Sequence, residues 1–350
     1  MSTGSRNPLT ARELARLLGV SQSAISRAFT PSASISPDLR TRILASADKL
    51  GYRPNAIASS LSKRKSNIVG LLVSDLQNPF YPAMIEQLSR GLQQVGYQCL
   101  LFNVTPHSDM THQLAALRQY NVDSVVIIVS AALLSGAALI WATEGREAIL
   151  INRSVAGSRL TSVCCDNTDG ARAVADHFHA LGRKRVAFVG GPANTFSNQE
   201  RQHAFIARLA ELGITLTGCV DAGSFSYQAG YKAAEQLVRL YSTDAVFFAN
   251  DIIAAGAMDA LRDDYRVSIP EELAVAGFDD IEMAGWPRYA LTTYRQPIAA
   301  IVDLSVRLLT ADPDAADRRH EVHRLPGELI IRASTVPAGT AKSAPPQAAG

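Results

Sequence analysis

From position 66 to about 335, short continuous apolar runs alternate with amphipathic stretches, and this alternation constrains the fold more than any other feature of the chain. The runs lie at 68–73, 98–103, 124–129, 148–151, 185–189, 245–249 and 273–276 and are rich in β-branched residues. Between them, helical periodicity appears at 81–95, 111–120, 169–181, 199–212, 227–240 and 252–261. Strands apolar on both faces must be covered on both, so the pattern predicts parallel sheets sandwiched by helices. About 270 residues is more than one such sheet uses, whereas two units of ~130 residues are ordinary domain sizes. Ligands of open α/β sheets sit at the carboxyl ends of the strands, and with two lobes the natural site is the cleft between them. Polar clusters fall at those ends: 75–81 (DLQNPFY), Asn152 with Arg153, Gly190 to Pro192, Asn250 with Asp251, and 277–280 (GFDD). Each alone is turn chemistry. Their recurrence at equivalent ends predicts a binding cleft.

The first sixty-odd residues have a different texture. Positions 10–29 read TARELARLLGVSQSAISRAF, two short helices separated by Gly19 and Val20. Thr10 and Glu13 have capping-box spacing, and Gly19 supplies the left-handed conformation that ends a helix. Leu14, Ala15, Leu17 and Leu18 are expected to form the buried stripe. Ser21 caps the second helix, whose Ala24, Ile25 and Ala28 pack back on the first. This helix leads with the small polar residues Gln22, Ser23 and Ser26, then Arg27, which suits a helix that meets base edges in the major groove. Taken alone, the segment also fits an ordinary surface hairpin. In a third helix Ser36 is the expected cap, Pro37 the first turn and Gly51 the stop. Its Leu39, Ile43, Leu44, Ala47 and Leu50 are expected to close a small core. Tyr52, Arg53 and Pro54 break the chain, and Asn55 caps a segment to residue 62 that is too short to hold a helix by itself. That segment is either a linker or a helix completed by a second copy or by DNA.

Net charge, +2 overall, becomes informative when split. Residues 1–65 hold eleven Lys or Arg against three Asp or Glu, which is +8, and the remainder holds 23 bases against 29 acids, which is −6. A basic head on an acidic body is expected where only the head meets a polyanion. Cys99, Cys164, Cys165 and Cys219 lack metal-ligand spacing and are expected to be buried thiols. No stretch approaches eighteen apolar residues and the N-terminus has no apolar core, so a cytoplasmic location without membrane contact is expected. No phosphate loop, dinucleotide fingerprint, zinc motif or nucleophile–base pair is present, so no enzyme activity, cofactor or metal is expected. His177 and His179, two apart on a helix, point to different faces. The tail, 337–350, is Pro, Ala and Gly without periodicity and is expected to be disordered.

Several stretches, LARLLGVSQSAISRAF, LGYRPNAIASSL, IVGLLVSDLQNPFY, ERQHAF, FFANDIIAAGAMDAL, VAGFDD and LTTYRQP, resemble in order and spacing the LacI/GalR-type bacterial transcription regulators over residues 9 to about 335. The resemblance implies an α/β fold: a three-helix helix-turn-helix domain and hinge helix, then a two-lobed periplasmic-binding-protein-like body of parallel sheets flanked by helices. It implies domains at 1–51, 52–66 and 67–336, with an N-lobe of 67–166 and 297–325 and a C-lobe of 167–296 and 326–336. It further implies a homodimer on a roughly palindromic operator, and a repressor controlled by a sugar, sugar acid or sugar phosphate. Gln22, Ser23, Ser26 and Arg27 would read the major groove. Asn55, Ala58 and Leu61 belong to the hinge helix, with Leu61 as a minor-groove wedge. Arg12, Arg53, Lys63, Arg64 and Lys65 would serve phosphates or solvent. Effector positions fall on Phe80, Tyr81, Asn152, Arg201, Phe225, Asn250 and Asp279. Asn152 stands where several family members carry aspartate, and Arg153 adds a positive charge beside it, which leaves room for a sugar acid or sugar phosphate; the alternatives are a neutral sugar, and an Arg153 turned to solvent or paired with an acid. The rival readings are a cytoplasmic solute-binding receptor, an activator, and an enzyme acting on a small sugar.

Overall fold

The computed structural model describes residues 9–30, 33–54, 65–104, 110–128, 147–155, 160–240, 243–311 and 321–336. The chain divides into two compact units, Met1–Asn67 and Ile68–Gly350.

In the first unit, helices α1 (Ala11–Leu18), α2 (Gln22–Ala28) and α3 (Pro37–Lys49) enclose a core of Leu14, Ala15, Ala24, Ile25, Ala28, Ile43, Ala47 and Tyr52. The capping box forms: Thr10 Oγ1 accepts from the Glu13 amide and Glu13 Oε2 accepts from the Thr10 amide. Gly19 takes φ +63° and Ser21 Oγ accepts from the Ala24 amide. Ser36 stands at the α3 N-cap but makes no side-chain cap bond. Three leucines expected in the core lie outside it: Leu17, Leu44 and Leu50 are 60%, 38% and 47% exposed. On α3 the inward row is Leu39, Ile43 and Ala47, four apart, which turns Leu44 to the flank. Tyr52, expected only to break the chain, instead closes the core edge-on to Phe29 at 5.7 Å between centroids. Asn55, Ala58, Leu61, Lys63 and Arg64 lie outside the described residues.

The second unit contains two six-stranded sheets. The first has the order β11-β5-β4-β3-β1-β2, all parallel, from β1 (Ile68–Val73), β2 (Gln98–Asn103), β3 (Ser124–Ile128), β4 (Glu147–Ile151), β5 (Thr161–Cys165) and β11 (Val322–Leu325). The second has the order β12-β10-β9-β8-β6-β7, from β6 (Arg185–Gly190), β7 (Thr215–Asp221), β8 (Ala245–Phe248), β9 (Ala274–Asp279), β10 (Thr292–Arg295) and β12 (Glu328–Ile330). Among the described strands of this sheet only β12 runs antiparallel, against β10. Helices α4 (Phe80–Gln94) and α5 (Met110–Gln119) accompany the first sheet, and α6 (Asn167–Ala180), α7 (Phe196–Glu211), α8 (Tyr227–Val238) and α9 (Asp251–Asp263) the second. Helix α10 (Ile298–Thr310) returns to pack on α4, β4 and β5. The chain therefore passes between the lobes three times: β5 to α6, β10 to α10, and β11 to β12.

Buried runs such as 125–128 and 246–249 cover the strands on both faces, as their continuous apolarity demands. Five strands did not stand out in the sequence. β5 opens on Thr161 and Ser162, β7 is an edge strand broken by threonines and Gly218, and β10 to β12 are three or four residues long. Cys219, expected buried, is exposed because it lies on the outer pleat of edge strand β7, whereas Cys164 and Cys165 are buried in β5. Among the described residues no helix is long and apolar enough to cross a membrane, and no cluster of His, Cys, Asp or Glu is placed to hold a metal. The tail, 337–350, lies outside the described residues.

Candidate functional site

On the head, α2 buries Ala24, Ile25 and Ala28 and exposes Gln22, Ser23, Ser26 and Arg27. The four predicted reading residues therefore share one solvent-facing surface, which follows from the helical spacing of small apolar residues between them. Local bonds order it: Ser21 Oγ and Ser23 Oγ lie 2.9 Å apart, and Arg27 Nε donates to the Ser23 carbonyl at 3.3 Å. Arg40 holds the turn after α2 by donating to the carbonyls of Thr30 (3.1 Å) and Ala33 (2.9 Å). It is a scaffold cation, which composition alone does not distinguish from a phosphate contact. Arg53 pairs with Asp48 at 2.9 Å, and because both are largely exposed the pair adds little stability.

In the body all seven predicted effector residues meet. Phe80, Tyr81 and Asn152 come from the first lobe, and Arg201, Phe225, Asn250 and Asp279 from the second; Asn78 and Ser197 complete the lining. The free space among them is about 10 Å³, room for roughly one water. Strand ends place the polar groups. Asn152 follows β4 at φ +59°, and Asp279 ends β9 at φ +120°. Such conformations are costly for residues other than glycine and concentrate at functional sites. Gly191, after β6, makes room for Phe225: a Cβ there would lie 2.3 Å from the ring.

Arg201 is the hub of the second lobe's half. It is 2% exposed. Its guanidinium lies over the Phe278 ring, 3.6 Å from the centroid, and Nη1 donates to the Ala249 carbonyl at 2.5 Å while standing 3.6 Å from Asp279 Oδ1. Nε donates to Asn167 Oδ1 at 2.9 Å, and Asn167 Nδ2 in turn donates to Glu200 Oε2 at 2.9 Å. Glu200 also receives both arms of Arg324, at 3.0 and 2.6 Å. Arg324 lies on β11 of the first sheet and Glu200 on α7 of the second lobe. A continuous hydrogen-bonded chain thus runs from the cleft across the crossover region. Bidentate Arg–carboxylate pairs are geometrically selective, so this link is sensitive to the angle between the lobes.

Two carboxyls of the second lobe are buried here. Burial pushes Asp279 up to about 6, against the opposing pull of Arg201 and of a 2.6 Å hydrogen bond from Gln296 Nε2. Asp251, first residue of α9, accepts from Thr293 Oγ1 at 2.6 Å and from the Ile281 amide at 3.0 Å. Burial, then the Asp279 charge, pushes it well above the carboxylate range. Asn250 uses its Oδ1 to cap α9 through the Ile253 amide, which leaves its amide nitrogen as the group to face a ligand. Desolvation raises Tyr81 to about 12, so it is a neutral hydroxyl at pH 7.

Four contributors went unpredicted: Asn78, Asn167, Ser197 and Gln296. Gln296 lies inside LTTYRQP and Asn78 inside DLQNPFY, so a reading of each polar residue in those stretches would have found both. Asn167 and Ser197 carried no sequence signal. His177, buried against Thr335 Oγ1 at 2.9 Å, and His203, exposed, are both away from the site.

Comparison with known proteins agrees with both halves. Residues 10–55 match the model of bacterial regulatory proteins of the lacI family, and residues 175–335 that of a periplasmic binding protein-like domain. The chain is 32% identical over 303 residues to the HTH-type transcriptional regulator GalS of Salmonella typhimurium, covering 86% of this chain and 88% of that one. A crystal structure of the Lac repressor dimer bound to operator and the anti-inducer ONPF superposes with a TM-score of 0.81 at 23% identity, over 94% of this chain and 99% of that one. A LacI-family transcriptional regulator from Enterococcus faecium with bound ribose gives 0.67 at 27% identity, over 77% and 99%. With a lacI-family match over the helix-turn-helix and 32% identity to GalS along most of both chains, the chain belongs to the lacI family of bacterial regulatory proteins.

Proposed function

We propose that this protein is a cytoplasmic, homodimeric repressor of sugar or sugar-acid catabolic genes, and that a small saccharide-like molecule in the cleft sets its operator affinity. The convergence of seven predicted side chains from both lobes on one site carries this reading. With about 10 Å³ of free space the site is too small for a saccharide as it stands, so a ligand must displace side chains contributed by both lobes, which ties occupancy to lobe angle. Residues 1–51 form the reading domain, with Gln22, Ser23, Ser26 and Arg27 on the bases. Residues 52–66 are the segment whose state the body controls, and Asn55, Ala58 and Leu61 belong to it. The ribose held by the Enterococcus relative and the operator held by the Lac repressor support the two ligand classes.

The test is binding of the full chain to operator DNA selected from a random-sequence pool, followed by electrophoretic shift across a salt series. A basic head that contacts several phosphates loses affinity steeply with salt, by ~10³-fold or more between 50 and 200 mM. No shift at low salt would exclude the reading in favour of a solute receptor. Arg201→Ala is expected to abolish the effector response and spare DNA binding.

A further inference from the structure

Two consecutive aspartates leave β9 through backbone that residues other than glycine rarely adopt, Asp279 at φ +120° and Asp280 at φ +56°. Aspartate tolerates the second value, because its short polar side chain bonds locally, whereas the first is costly. Such a turn persists only where its surroundings hold it. Asp279 lines the cleft and Asp280 does not.

The holding groups come from two other segments. Arg295, the last residue of β10, donates Nε to Asp280 Oδ2 at 2.7 Å. Arg332, beyond β12, donates Nη2 to Asp280 Oδ1, also at 2.7 Å. The Asp280 side chain is only 9% exposed, so both oxygens are paired with charge away from solvent. Arg332 is itself anchored, its Nη1 donating to the Leu291 carbonyl and its amide to Thr292 Oγ1, each at 2.8 Å. Gln296, the residue after Arg295, donates Nε2 to Asp279 Oδ1 at 2.6 Å. Two neighbouring residues at the end of β10 thus each grip one of the two aspartates at the end of β9, where the parallel register sets Arg295 beside Asp279. The amides of the turn are engaged as well: Asp280 donates to Thr293 Oγ1 at 3.3 Å and Ile281 to Asp251 Oδ2 at 3.0 Å. Asp279 Oδ1 is taken by Gln296 and faces Arg201, while no described residue hydrogen-bonds Oδ2. Oδ2 is the oxygen left for a ligand hydroxyl, and the turn sets its direction.

We propose that Asp280, Arg295 and Arg332 are positioning residues of the effector site: without touching the ligand they hold the Asp279–Asp280 turn, and through it aim the Asp279 carboxylate into the cleft. The proposal rests on the reading of the cleft as the effector site. It adds to the groups that set effector affinity three residues, none of which lines the cleft.

Two arms test it on the full chain. Asp280→Asn keeps the size of the side chain and its tolerance of left-handed backbone, but turns one acceptor oxygen into an amide nitrogen to which no guanidinium can donate. Arg295→Met removes one arm from a half-exposed position and serves where the first variant does not fold. The first arm needs no ligand and follows hydrogen exchange by mass spectrometry. Peptides covering 277–283 are expected to exchange about ten-fold faster in either variant, with those of β6 and β8 unchanged. Unchanged exchange at 277–283 would show that the backbone holds the turn alone, and the proposal would fall. Faster exchange across the whole second lobe would make the clasp a general support, and the proposal would fall equally. The second arm is calorimetric titration with D-ribose, D-galactose and D-glucose as probes. For a probe lost with Arg201→Ala, both variants are expected to weaken binding ~10–100-fold. Thr335→Val, which removes hydrogen bonds to His177 and Thr292 in the same lobe, is the structural control and is expected to leave affinity within about two-fold. Equal losses in control and variants would overturn the positioning role while keeping the cleft. A probe unaffected by Arg201→Ala binds elsewhere and overturns both. Where no probe binds, the first arm decides.

Discussion

Asn167→Ala tests whether the Arg324–Glu200–Asn167–Arg201 chain orders the cleft. Asn167 is fully buried and bonds both charged neighbours at 2.9 Å. Truncation strips the acceptor from Arg201 Nε in a side chain only 2% exposed. A buried donor left unsatisfied costs about 1–3 kcal/mol, toward the upper end for a charged group. Glu200 keeps both Arg324 bonds and some water, so its loss adds little. The sum is about 2–4 kcal/mol, which for a body of this size lowers Tm by roughly 5–12 °C. Differential scanning calorimetry reads the shift, and titration of an effector reads the accompanying loss of affinity. In a double-mutant cycle with Glu200→Ala the two effects are expected to be non-additive by about 0.5–3 kcal/mol. A Tm within 2 °C of wild type, or strict additivity, would refute the idea of a shared network.

Gln22→Ala is expected to relax discrimination at one operator position by about 1–3 kcal/mol, whereas Arg12→Ala weakens all sequences alike; competition binding against single-base operator variants separates the two. Asp279 has a pH signature with a definite sign. Its folded carboxyl titrates near 6 and its unfolded one near 3.8, so between those values the folded state holds a proton that the unfolded state has released. Stability contributed by this group is full below the lower value and is lost as pH rises through the upper one, by about 3 kcal/mol. Asp279→Asn is expected to flatten that part of the urea-denaturation stability profile between pH 4 and 6.5; an unchanged slope would show that the carboxyl is not the source.

The fold was legible where local chemistry is sufficient. The Thr10 and Glu13 box, Gly19 and the Ser21 cap act within one helical turn, so they are visible in four or five letters. Continuous apolar runs revealed central strands such as β1, β3, β6 and β8, because burial on both faces leaves no polar alternation. Edge and crossover strands escaped: β7 is interrupted by Thr215, Thr217 and Gly218, and β11 pairs with β5 more than 150 positions earlier. Leu17, Leu44 and Leu50 show the opposite failure, since apolar identity alone does not fix which helix face is covered. At the cleft, residues at strand ends were found because topology makes those positions equivalent. Asn167 was not, because its role lies in bridging Arg201 and Glu200, a relation that exists only in three dimensions.

The central claim is that cleft and reading head are coupled, and coupling between two binding sites is reciprocal. The most direct measurement is the effector's dissociation constant, by calorimetry, with and without saturating operator DNA, set beside the operator's dissociation constant with and without saturating effector. The account predicts that both change by one common factor, on the order of 5–150-fold. An effector affinity indifferent to operator would contradict it.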